Sequence, residues 1–170
     1  ATERRLLAAG RSYRKVYLHP QSHAAYYPGS ATLNLKLLFD EQGRILGAQC
    51  VGAQGVEKRI DVIATAMQAG RSVRDLAELE LAYAPPFNSA KDPVNFAGMI
   101  ATNILDGLTD YVTPDAIPAG ALLLDVREPA ETELDPLPGA TTIPLGQLRQ
   151  RLDELPRDRL IICFCKLGLR

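Results

Sequence analysis

TLNLKLLFDEQGRILGAQCV, residues 32–51, is the stretch that decides the fold of the first part of the chain. Its first half places apolar residues at every second position, and therefore on one face of a β-strand: Leu33, Leu35, Leu37 and Phe39. A polar turn at 40–44 follows, and the apolar run 45–51 returns beside the first strand. Because YRKVYL at 13–18 alternates in the same way, the sequence predicts a three-stranded antiparallel meander.

Helical periodicity flanks this meander on both sides in the sequence. A short helix, TERRLLAA, precedes it and ends at Gly10. An amphipathic helix at 56–69 follows it, with an apolar stripe formed by Val56, Ile60, Ile63, Ala64 and Met67. Residues 73–81 form a further short helix, and 93–107 carry a second stripe at Phe96, Met99, Ile100, Asn103 and Ile104. An antiparallel sheet with helices on one side is an α+β domain, the fold class that we expect here.

The pattern changes near Leu108, and the remaining residues have the character of an α/β unit. A proline-containing connection leads to ALLLDV at 121–126, a dense apolar run typical of a strand in a parallel sheet. We expect a helix at 146–155 and a second parallel strand, RLIICF, at 159–164. The sequence thus predicts two domains: residues 1–108 and residues 109–170.

Charge and composition exclude several classes of function. The formal net charge is -1, so the electrostatics do not favour nucleic acid or an anionic membrane as a partner. No apolar run approaches the roughly 20 residues that a membrane-spanning helix needs. Three cysteines, an odd number, indicate a reducing compartment, and we expect a cytoplasmic protein. A metal site is not expected, since Cys163 and Cys165 lack a second pair of ligands.

The last ten residues, IICFCKLGLR, place a thiol where a buried strand gives way to a loop. Backbone amides folded around a sulfur atom, together with a nearby cation, stabilise a thiolate. Gly168 can adopt the positive φ that such a loop needs, and Lys166 or Arg170 can supply the charge. Cys165 is therefore a candidate nucleophile. Cys163 lies inside the strand and is expected to face the core, with a resolving thiol as the alternative.

The segment LAYAPPFNSAKDPVN at 81–95 is the second unusual stretch. Pro85 and Pro86 hold the backbone extended and remove two amide donors, so this segment is neither helix nor central strand. Rigid segments that carry Tyr, Lys and Asp are better explained by an interface or a binding site than by a core. The simpler alternative is a hydrophobic edge with a solvated ion pair between Lys91 and Asp92.

Three motifs of the second domain, LLLDVREPAE, PGATTIPLGQLRQRLDELP and LIICFCKLGLR, resemble the first two thirds of a rhodanese domain. The resemblance implies that Cys165 carries a persulfide sulfur and that an anion cradle follows it, formed by Lys166, Leu167, Gly168, Leu169 and Arg170. Asp125 and Arg127 match the DVR that ends an early strand of that family, where a structural and a functional role are both open. Since the family continues past this loop, we expect the domain to be truncated.

Residues 1–108 resemble a different family, through YYPGS, LNLKLLFDEQGRILGAQCVG, GVEKRIDVIATAM and LAYAPPFNSAKDPVNFAGMIATNIL. They are similar to the carboxy-terminal dimerisation domain of pyridine nucleotide-disulfide oxidoreductases, in particular the coenzyme A disulfide reductases, NADH oxidases and persulfide reductases. The resemblance implies a homodimer in which two tyrosines reach the partner's active site. Tyr83 matches one of them; Tyr26 is favoured for the other, and Tyr27 stays open. FAD and NAD(P)H are also implied, bound mainly by amino-terminal domains that this chain does not contain.

Together the resemblances imply a fragment of an FAD- and NAD(P)H-dependent oxidoreductase that reduces coenzyme A disulfide or coenzyme A persulfide, with a fused rhodanese module for sulfane sulfur transfer. On this interpretation the parent is an enzyme. The fragment alone is inactive, binds no cofactor, and supplies dimerisation and part of the partner subunit's active site. Two alternatives remain, namely a sulfurtransferase with a dimerising module and a non-catalytic oligomerisation module. The sequence does not choose between NADH and NADPH, or among coenzyme A disulfide, persulfide, polysulfide and oxygen as acceptor.

Overall fold

The computed structural model describes residues 1–166 and 168, and it divides the chain into two compact units. The first unit ends at Tyr111 and the second begins at Val112. This division lies three residues beyond the change of pattern near Leu108 in the sequence. Each unit has its own sheet and its own buried apolar cluster.

The first unit is built on the predicted antiparallel meander, which the structure confirms. Its strands are β1 (Arg14–Leu18), β2 (Leu33–Phe39) and β3 (Ile45–Gly52), in the order β1-β2-β3. Both pairings are antiparallel, and the alternating residues of β2 contribute to the main core as expected: Leu35, Leu37 and Phe39.

Helices cover both faces of this sheet, whereas the sequence predicts helices on one side only. Helix α1 (Glu3–Ala8) contributes Leu6 to a small cluster with Leu38 and Leu46. Leu38 follows Leu37 in β2 and so points to the face opposite the main core. Leu38 is apolar at a position where the alternation of β2 would place a polar residue. This face of the sheet is therefore apolar at Leu38, and α1 packs over it.

Three further helices surround the main core of the first unit: α2 (Val56–Gln68), α3 (Val73–Glu78) and α4 (Pro93–Leu105). Their existence agrees with the sequence, and two of them begin at reciprocal capping boxes. Ser72 and Asp75 cap α3, and Asp92 and Asn95 cap α4. Such caps satisfy backbone N–H groups that have no partner within the helix, which fixes where each helix begins.

The buried faces of α2 and α4 differ from the predicted stripes. Helix α2 buries Arg59, Ile63 and Ala66, while Met67 is exposed. Helix α4 buries mainly small residues, among them Ala97, Gly98 and Ala101, while the predicted stripe members Phe96 and Asn103 are exposed. The reason is close packing, since a Cβ atom on Gly98 would lie 2.4 Å from the backbone nitrogen of Ala77 in α3. A large side chain on this face would force the two helices apart.

The second unit is a three-stranded parallel sheet with strand order β5-β4-β6. Its elements are β4 (Leu122–Asp125), α5 (Pro129–Leu134), β5 (Thr141–Thr142), α6 (Leu145–Leu148) and β6 (Ile161–Phe164). The two apolar strands that the sequence predicts are present and parallel, while α5 and β5 were not predicted. Leu124, Val126 and Ile143 form the centre of the buried cluster.

The predicted helix at 146–155 is wrong. The structure has the single turn α6 there, followed by a separate 3₁₀ turn at Leu152–Glu154. After α6 the backbone forms i to i−3 bonds, such as Arg151 N–H to Leu148 C=O at 3.1 Å, which tighten the coil and end the helix. Leu148 and Leu155 still pack against the cluster of the second unit. The spacing of the apolar residues therefore predicts correctly that they are buried, but it does not predict the backbone conformation between them.

Within residues 1–166 and 168, no helix is long and apolar enough to cross a membrane. In the same described residues, no three side chains of His, Cys, Asp or Glu come together as metal ligands would.

Candidate active site

Two tyrosines from distant parts of the sequence meet at the surface of the first unit. The phenol oxygens of Tyr26 and Tyr83 lie 3.0 Å apart in a hydrogen bond for which either hydroxyl can be the donor. Both rings are exposed, at 77% and 51% of their full area. The hydrogen bond to Tyr83 raises the pKa of Tyr26 above its ordinary value. The pair is therefore an exposed group of two hydroxyls that is open to a ligand or a partner.

The neighbouring Tyr27 takes a different position from Tyr26. Its ring stands edge-on to the buried imidazole of His23, with the ring centroids 5.9 Å apart. Its backbone N–H closes a turn on the carbonyl of Ala24 at 2.9 Å. Of the two upstream candidates, Tyr26 is thus the one that the structure brings to Tyr83. A catalytic role for either residue stays a prediction.

The loop that carries Tyr26 is closed at its base by bonds between its two ends. Ser22 and Ala31 are joined twice, from Ser22 N–H to Ala31 C=O at 2.8 Å and from Ala31 N–H to the Ser22 hydroxyl at 3.1 Å. Pro28 and Gly29 follow the tyrosines, and Gly29 has a φ of +87°, which favours glycine. These constraints reduce the conformational freedom of the loop around Tyr26.

Asn88 fixes the segment that carries Tyr83 from both sides. Its side-chain amide donates to the carbonyl of Ala82 at 3.1 Å, and its backbone N–H donates to the carbonyl of Ala84 at 3.0 Å. Its own carbonyl accepts from the N–H of Ala24 at 3.1 Å, on the loop that carries Tyr26. One buried asparagine therefore holds both neighbours of Tyr83 and joins the two tyrosine segments.

Arg59 of α2 lies directly behind these segments and is almost completely buried. Its guanidinium donates to the carbonyls of Gly55 at 3.1 Å and Ser22 at 2.7 Å, and to the side-chain oxygen of Asn88 at 3.1 Å. The sequence analysis missed both Arg59 and Asn88. A usable signal was present for Arg59, since a charged residue at 59 shares the helix face of Ile63 and Ala66.

Asp92 is the counter-charge of Arg59, and the alternative of a solvated ion pair with Lys91 is wrong. Asp92 is buried, and its carboxylate lies 3.2 Å from the Arg59 guanidinium and 3.6 Å from the Lys58 ammonium. It also accepts from the N–H of Val94 at 2.9 Å as the cap of α4. The carboxylate is thus held by a helix start and by two cations from α2.

The thiol of Cys165 stands at the carboxyl end of β6, in the second unit. It is half-buried against the apolar cluster around Leu124, and its sulfur accepts the backbone N–H of Gly168 at 3.1 Å. Gly168 has a φ of +72°, the positive value that the sequence analysis requires of it. Lys166 is exposed. The other predicted members of the anion cradle, Leu167, Leu169 and Arg170, lie outside the described residues.

Asp125 and Arg127 form a buried ion pair in the second unit. The guanidinium donates to both carboxylate oxygens, with nitrogen–oxygen distances of 2.7 to 3.0 Å, and also to the carbonyl of Asp135 at 2.9 Å. Hydrogen bonding by Arg127 lowers the pKa of Asp125. Arg127 also lies over the ring of Phe164, at 5.7 Å, and lines a shallow cavity of about 230 Å³ together with Cys165. Arg127, held in place by Asp125, thus forms part of the wall of the cavity beside the Cys165 thiol.

The two other cysteines show no sign of a shared redox role with Cys165. Cys163 is exposed, so the prediction that it faces the core is wrong. It lies two residues before Cys165 in the sequence, but Cys165 has left the strand, so the two thiols do not share a strand face by alternation. Cys50 packs partly against the main core, and burial raises the pKa of its thiol. A raised pKa leaves less thiolate and so less reactivity at neutral pH.

The turn between β4 and α5 does not fit the pyrophosphate of a dinucleotide. A parallel sheet cradles a dinucleotide pyrophosphate with a glycine-rich turn between a strand and a helix. The turn from β4 into α5 carries Arg127 and Pro129 instead, and the carboxylate of Asp125 is already engaged by Arg127. This turn is therefore not assigned to a dinucleotide pyrophosphate.

Comparison with protein families identifies the first unit. The family model described as "Pyridine nucleotide-disulphide oxidoreductase, dimerisation domain" matches residues 1–93, more than half of the chain. The chain belongs to the dimerisation-domain family of the pyridine nucleotide-disulphide oxidoreductases. The matched range contains Tyr26 and Tyr83, together with the Arg59, Asn88 and Asp92 side chains behind them.

Relatives of this dimerisation-domain chain include coenzyme A disulfide reductases of staphylococci. The one from Staphylococcus haemolyticus is 43% identical over 93 residues, which cover 54% of this chain and 21% of the relative. The one from Staphylococcus aureus strain RF122 is 45% identical over 87 residues, or 51% and 20% of the two chains. This chain thus spans about a fifth of the length of the curated relatives that it matches.

Similar solved structures cover more of this chain than the curated relatives do. The structure titled reduced Bacillus anthracis CoADR-RHD is 45% identical, has a TM-score of 0.93, and covers 99% of this chain and 31% of its own. A NAD-dependent persulfide reductase from A. fulgidus is 40% identical, has a TM-score of 0.89, and covers 100% and 31%. The fold of both units therefore recurs in proteins of about three times this length.

Proposed function

We propose that this chain is part of a cytoplasmic, FAD- and NAD(P)H-dependent oxidoreductase that reduces coenzyme A disulfide or coenzyme A persulfide. In this proposal the first unit makes the homodimer and presents Tyr26 and Tyr83 to the active site of the partner subunit. The flavin, the nicotinamide and the redox-active cysteine belong to domains outside these residues. The named activities of the relatives and of the solved structures support this choice.

The observation that carries the proposal is the hydrogen bond between two exposed phenols. Two exposed tyrosines whose hydroxyls share a hydrogen bond are not core residues. Their fixed geometry is also unusual for surface residues that have no role. Reduction of a mixed disulfide breaks a sulfur–sulfur bond, and one sulfur departs as a thiolate. A phenol O–H can donate a hydrogen bond to that developing charge without bringing a charge of its own. The pair is therefore suited to stabilise coenzyme A thiolate as a leaving group.

The test uses the longer protein that contains this chain, assayed for NAD(P)H-dependent reduction of coenzyme A disulfide. We expect Tyr83→Phe and Tyr26→Phe each to lower kcat by about 10- to 100-fold, because each removes either the hydroxyl that donates to the leaving thiolate or the hydroxyl that strengthens this donor. Tyr27→Phe is the matched variant, since it removes a hydroxyl from the adjacent ring. A loss in Tyr27→Phe alone would move the role from Tyr26 to its neighbour, and an unchanged kcat in Tyr83→Phe would reject the proposal.

For the second unit we propose a rhodanese-like sulfur transfer at Cys165. Its thiolate attacks the sulfane sulfur of a donor, so that a new sulfur–sulfur bond forms at Cys165 while the donor's bond breaks and the donor leaves with the electron pair. The Gly168 N–H at 3.1 Å from the sulfur supports this, because such a contact stabilises a thiolate. Lys166 is a candidate cation for the same loop. This feature also favours the alternative of a sulfurtransferase with a dimerising module.

Substitution of Cys165 tests this second half. In the longer protein, Cys165→Ser should abolish transfer of sulfane sulfur from thiosulfate to an acceptor thiol and leave reduction of coenzyme A disulfide unchanged. Cys163→Ser, two residues earlier, is the control for the loss of a neighbouring thiol. Loss of both activities in Cys165→Ser would contradict the division of labour between the two units.

A further inference from the structure

The two tyrosine segments are joined through a single nitrogen atom of Arg59. Its Nη2 donates to the carbonyl of Ser22, at the base of the Tyr26 loop, and to the side-chain oxygen of Asn88, which holds both neighbours of Tyr83. The phenol oxygens lie 3.0 Å apart, and a hydrogen bond of this kind is lost beyond about 3.5 Å. The separation of the two segments must therefore be fixed to about half an ångström.

We propose that Arg59 is a positioning residue for the Tyr26–Tyr83 pair. It acts through the Ser22 carbonyl on one side and through Asn88 on the other, and it does not itself touch the phenols. This proposal rests on the function proposed above for the pair. It means that a residue of helix α2 determines the geometry of the pair, although α2 contributes no group to the surface site.

The choice of arginine follows from the geometry of its acceptors. Its planar guanidinium offers donors in fixed directions, and here they meet the carbonyls of Gly55 and Ser22 and the side-chain oxygen of Asn88. The carboxylate of Asp92 lies 3.2 Å from the guanidinium as its ion-pair partner. A lysine ammonium offers three donors from one point on a flexible stem and cannot reproduce that arrangement. Burying a guanidinium is costly unless it is paired, and Asp92 supplies the pairing charge. A hydrophobic residue would pack here more cheaply, so the arginine is explained by what it holds.

The pairing charge also belongs to the second tyrosine segment. Asp92 ends the stretch that runs from Tyr83 through Asn88, and it caps α4 by accepting from the N–H of Val94. The Arg59–Asp92 contact therefore attaches α4 to the same arginine. Loss of Arg59 therefore removes one contact from Asn88 and one from Asp92, both in the segment that follows Tyr83.

The test compares two variants of this 170-residue chain by NMR titration of ¹³C-labelled tyrosine. Arg59→Lys keeps the positive charge and loses the planar fork, whereas Val16→Ala opens a cavity in the main core and serves as a control for destabilisation away from the tyrosine segments. We expect the pKa of Tyr26 to fall to that of an ordinary exposed tyrosine in Arg59→Lys and to stay raised in Val16→Ala. A merely structural role would lower the thermal stability of both variants and leave the Tyr26 titration alike in both.

Asn88→Ser provides the second variant in case Arg59→Lys does not fold. It removes the acceptor of Arg59 and the bond to Ala82 while leaving the arginine paired with Asp92. The Tyr26 titration is expected to shift in the same direction as in Arg59→Lys. A Tyr26 pKa that stays raised in whichever of these variants folds would overturn the proposal.

Activity of the longer protein separates this proposal from the one on which it rests. Arg59→Lys should lower kcat for coenzyme A disulfide about tenfold or more, and it should lower kcat little further when Tyr83→Phe is already present. If Tyr83→Phe leaves kcat unchanged, the proposed function fails, while the titration still decides the positioning role. If Tyr83→Phe lowers kcat and Arg59→Lys does not, the positioning role fails and the proposed function stands.

Discussion

Glu3 is the residue with the most strongly altered carboxyl group, and it joins α1 to the sheet. Its carboxylate accepts from the Lys36 ammonium, from the Tyr13 hydroxyl at 2.7 Å and from the Lys15 ammonium at 3.0 Å. The hydrogen bond from Lys36, followed by that from Tyr13, lowers the pKa of Glu3 to about 2. The side chain is largely shielded from solvent, so this ionised group contributes to stability at neutral pH.

We expect Glu3→Gln to lower the free energy of unfolding at pH 7 by roughly 2 kcal/mol, since a lowered pKa means that the folded state prefers the carboxylate. This contribution is complete above the unfolded pKa of about 4.5 and is lost as the pH falls through the folded value of about 2. The variant and the parent chain should therefore converge in stability toward pH 2. Urea unfolding followed by tyrosine fluorescence measures this, because all six tyrosines lie in the first unit.

Glu80→Gln, at an exposed position, is the control and should change stability by less than about 0.5 kcal/mol. A difference between Glu3→Gln and the parent chain that stayed constant from pH 7 to pH 2.5 would show that the carboxylate charge of Glu3 does not contribute.

At the scale of single residues, the sequence predicts the chemical types at the site but not what holds them. Tyr26, Tyr83 and Cys165 stand out because aromatic rings beside prolines and a thiol at a strand end are unusual in any sequence. Arg59 and Asn88 do not stand out, since arginine on a helix and asparagine in a loop are ordinary. Their importance arises from burial, and burial depends on contacts between segments 29 and 37 residues apart.

At the scale of elements, the contact between α3 and α4 is the tightest helix packing described for the chain. Gly98 lies where a Cβ atom would come within 2.4 Å of the Ala77 nitrogen and 2.7 Å of the Val73 carbonyl oxygen. Backbone atoms cannot swing aside as a flexible side chain can. Glycine at position 98 thus permits the close approach of α3 and α4.

We expect Gly98→Ala to destabilise the first unit by about 1 to 3 kcal/mol, although alanine favours helix over glycine by up to about 1 kcal/mol. The overpacking of α4 against α3 outweighs the gain in helix propensity. Asn103→Ala, at an exposed position of the same helix, is the matched control and should be neutral or slightly stabilising. Both are measured by thermal unfolding, and a stabilised Gly98→Ala would mean that the helices separate without cost.

The existence and type of most elements could be predicted, because alternation and helical spacing are local properties of the sequence. The buried face of α4 could not, since Phe96 and Met99 look like core residues until the nearness of α3 excludes large side chains. The helix expected at 146–155 fails for a related reason. Leu148 and Leu155 have a spacing that suits burial, and only the tightened backbone after α6 shows that two turns, not one helix, bring them to the core.

At the scale of the whole molecule, several large apolar side chains of the first unit face solvent. Phe87, on the segment after Tyr83, is exposed at 72%, and Phe96 of α4 at 43%. Apolar groups exposed beside a site, in a chain of the dimerisation-domain family, favour an interface with a second copy. The family match and the exposed rings support pairing independently of each other.

We expect light scattering after size exclusion to give a mass of twice the 18.5 kDa of one chain. Association of the exposed apolar surface of two copies provides the driving force. Phe96→Glu, which places a charge on the solvent-facing side of α4, should shift the mass toward one chain, while Leu134→Glu in the second unit serves as a control at another exposed apolar position. A monomer at every concentration would show that pairing requires domains outside these residues.

The Tyr26–Tyr83 pair has two hydroxyl hydrogens, and this number limits how many hydrogen bonds the pair can donate to a ligand. Whichever hydroxyl donates within the pair, one hydrogen is used internally and one remains directed outward, on an oxygen that is already an acceptor. Accepting a hydrogen bond polarises a hydroxyl and makes its remaining hydrogen a stronger donor. Two tyrosines arranged in this way act as one reinforced donor with a stoichiometry of one anion per pair. A homodimer would then solvate two departing anions at a time, one for each of its two pairs.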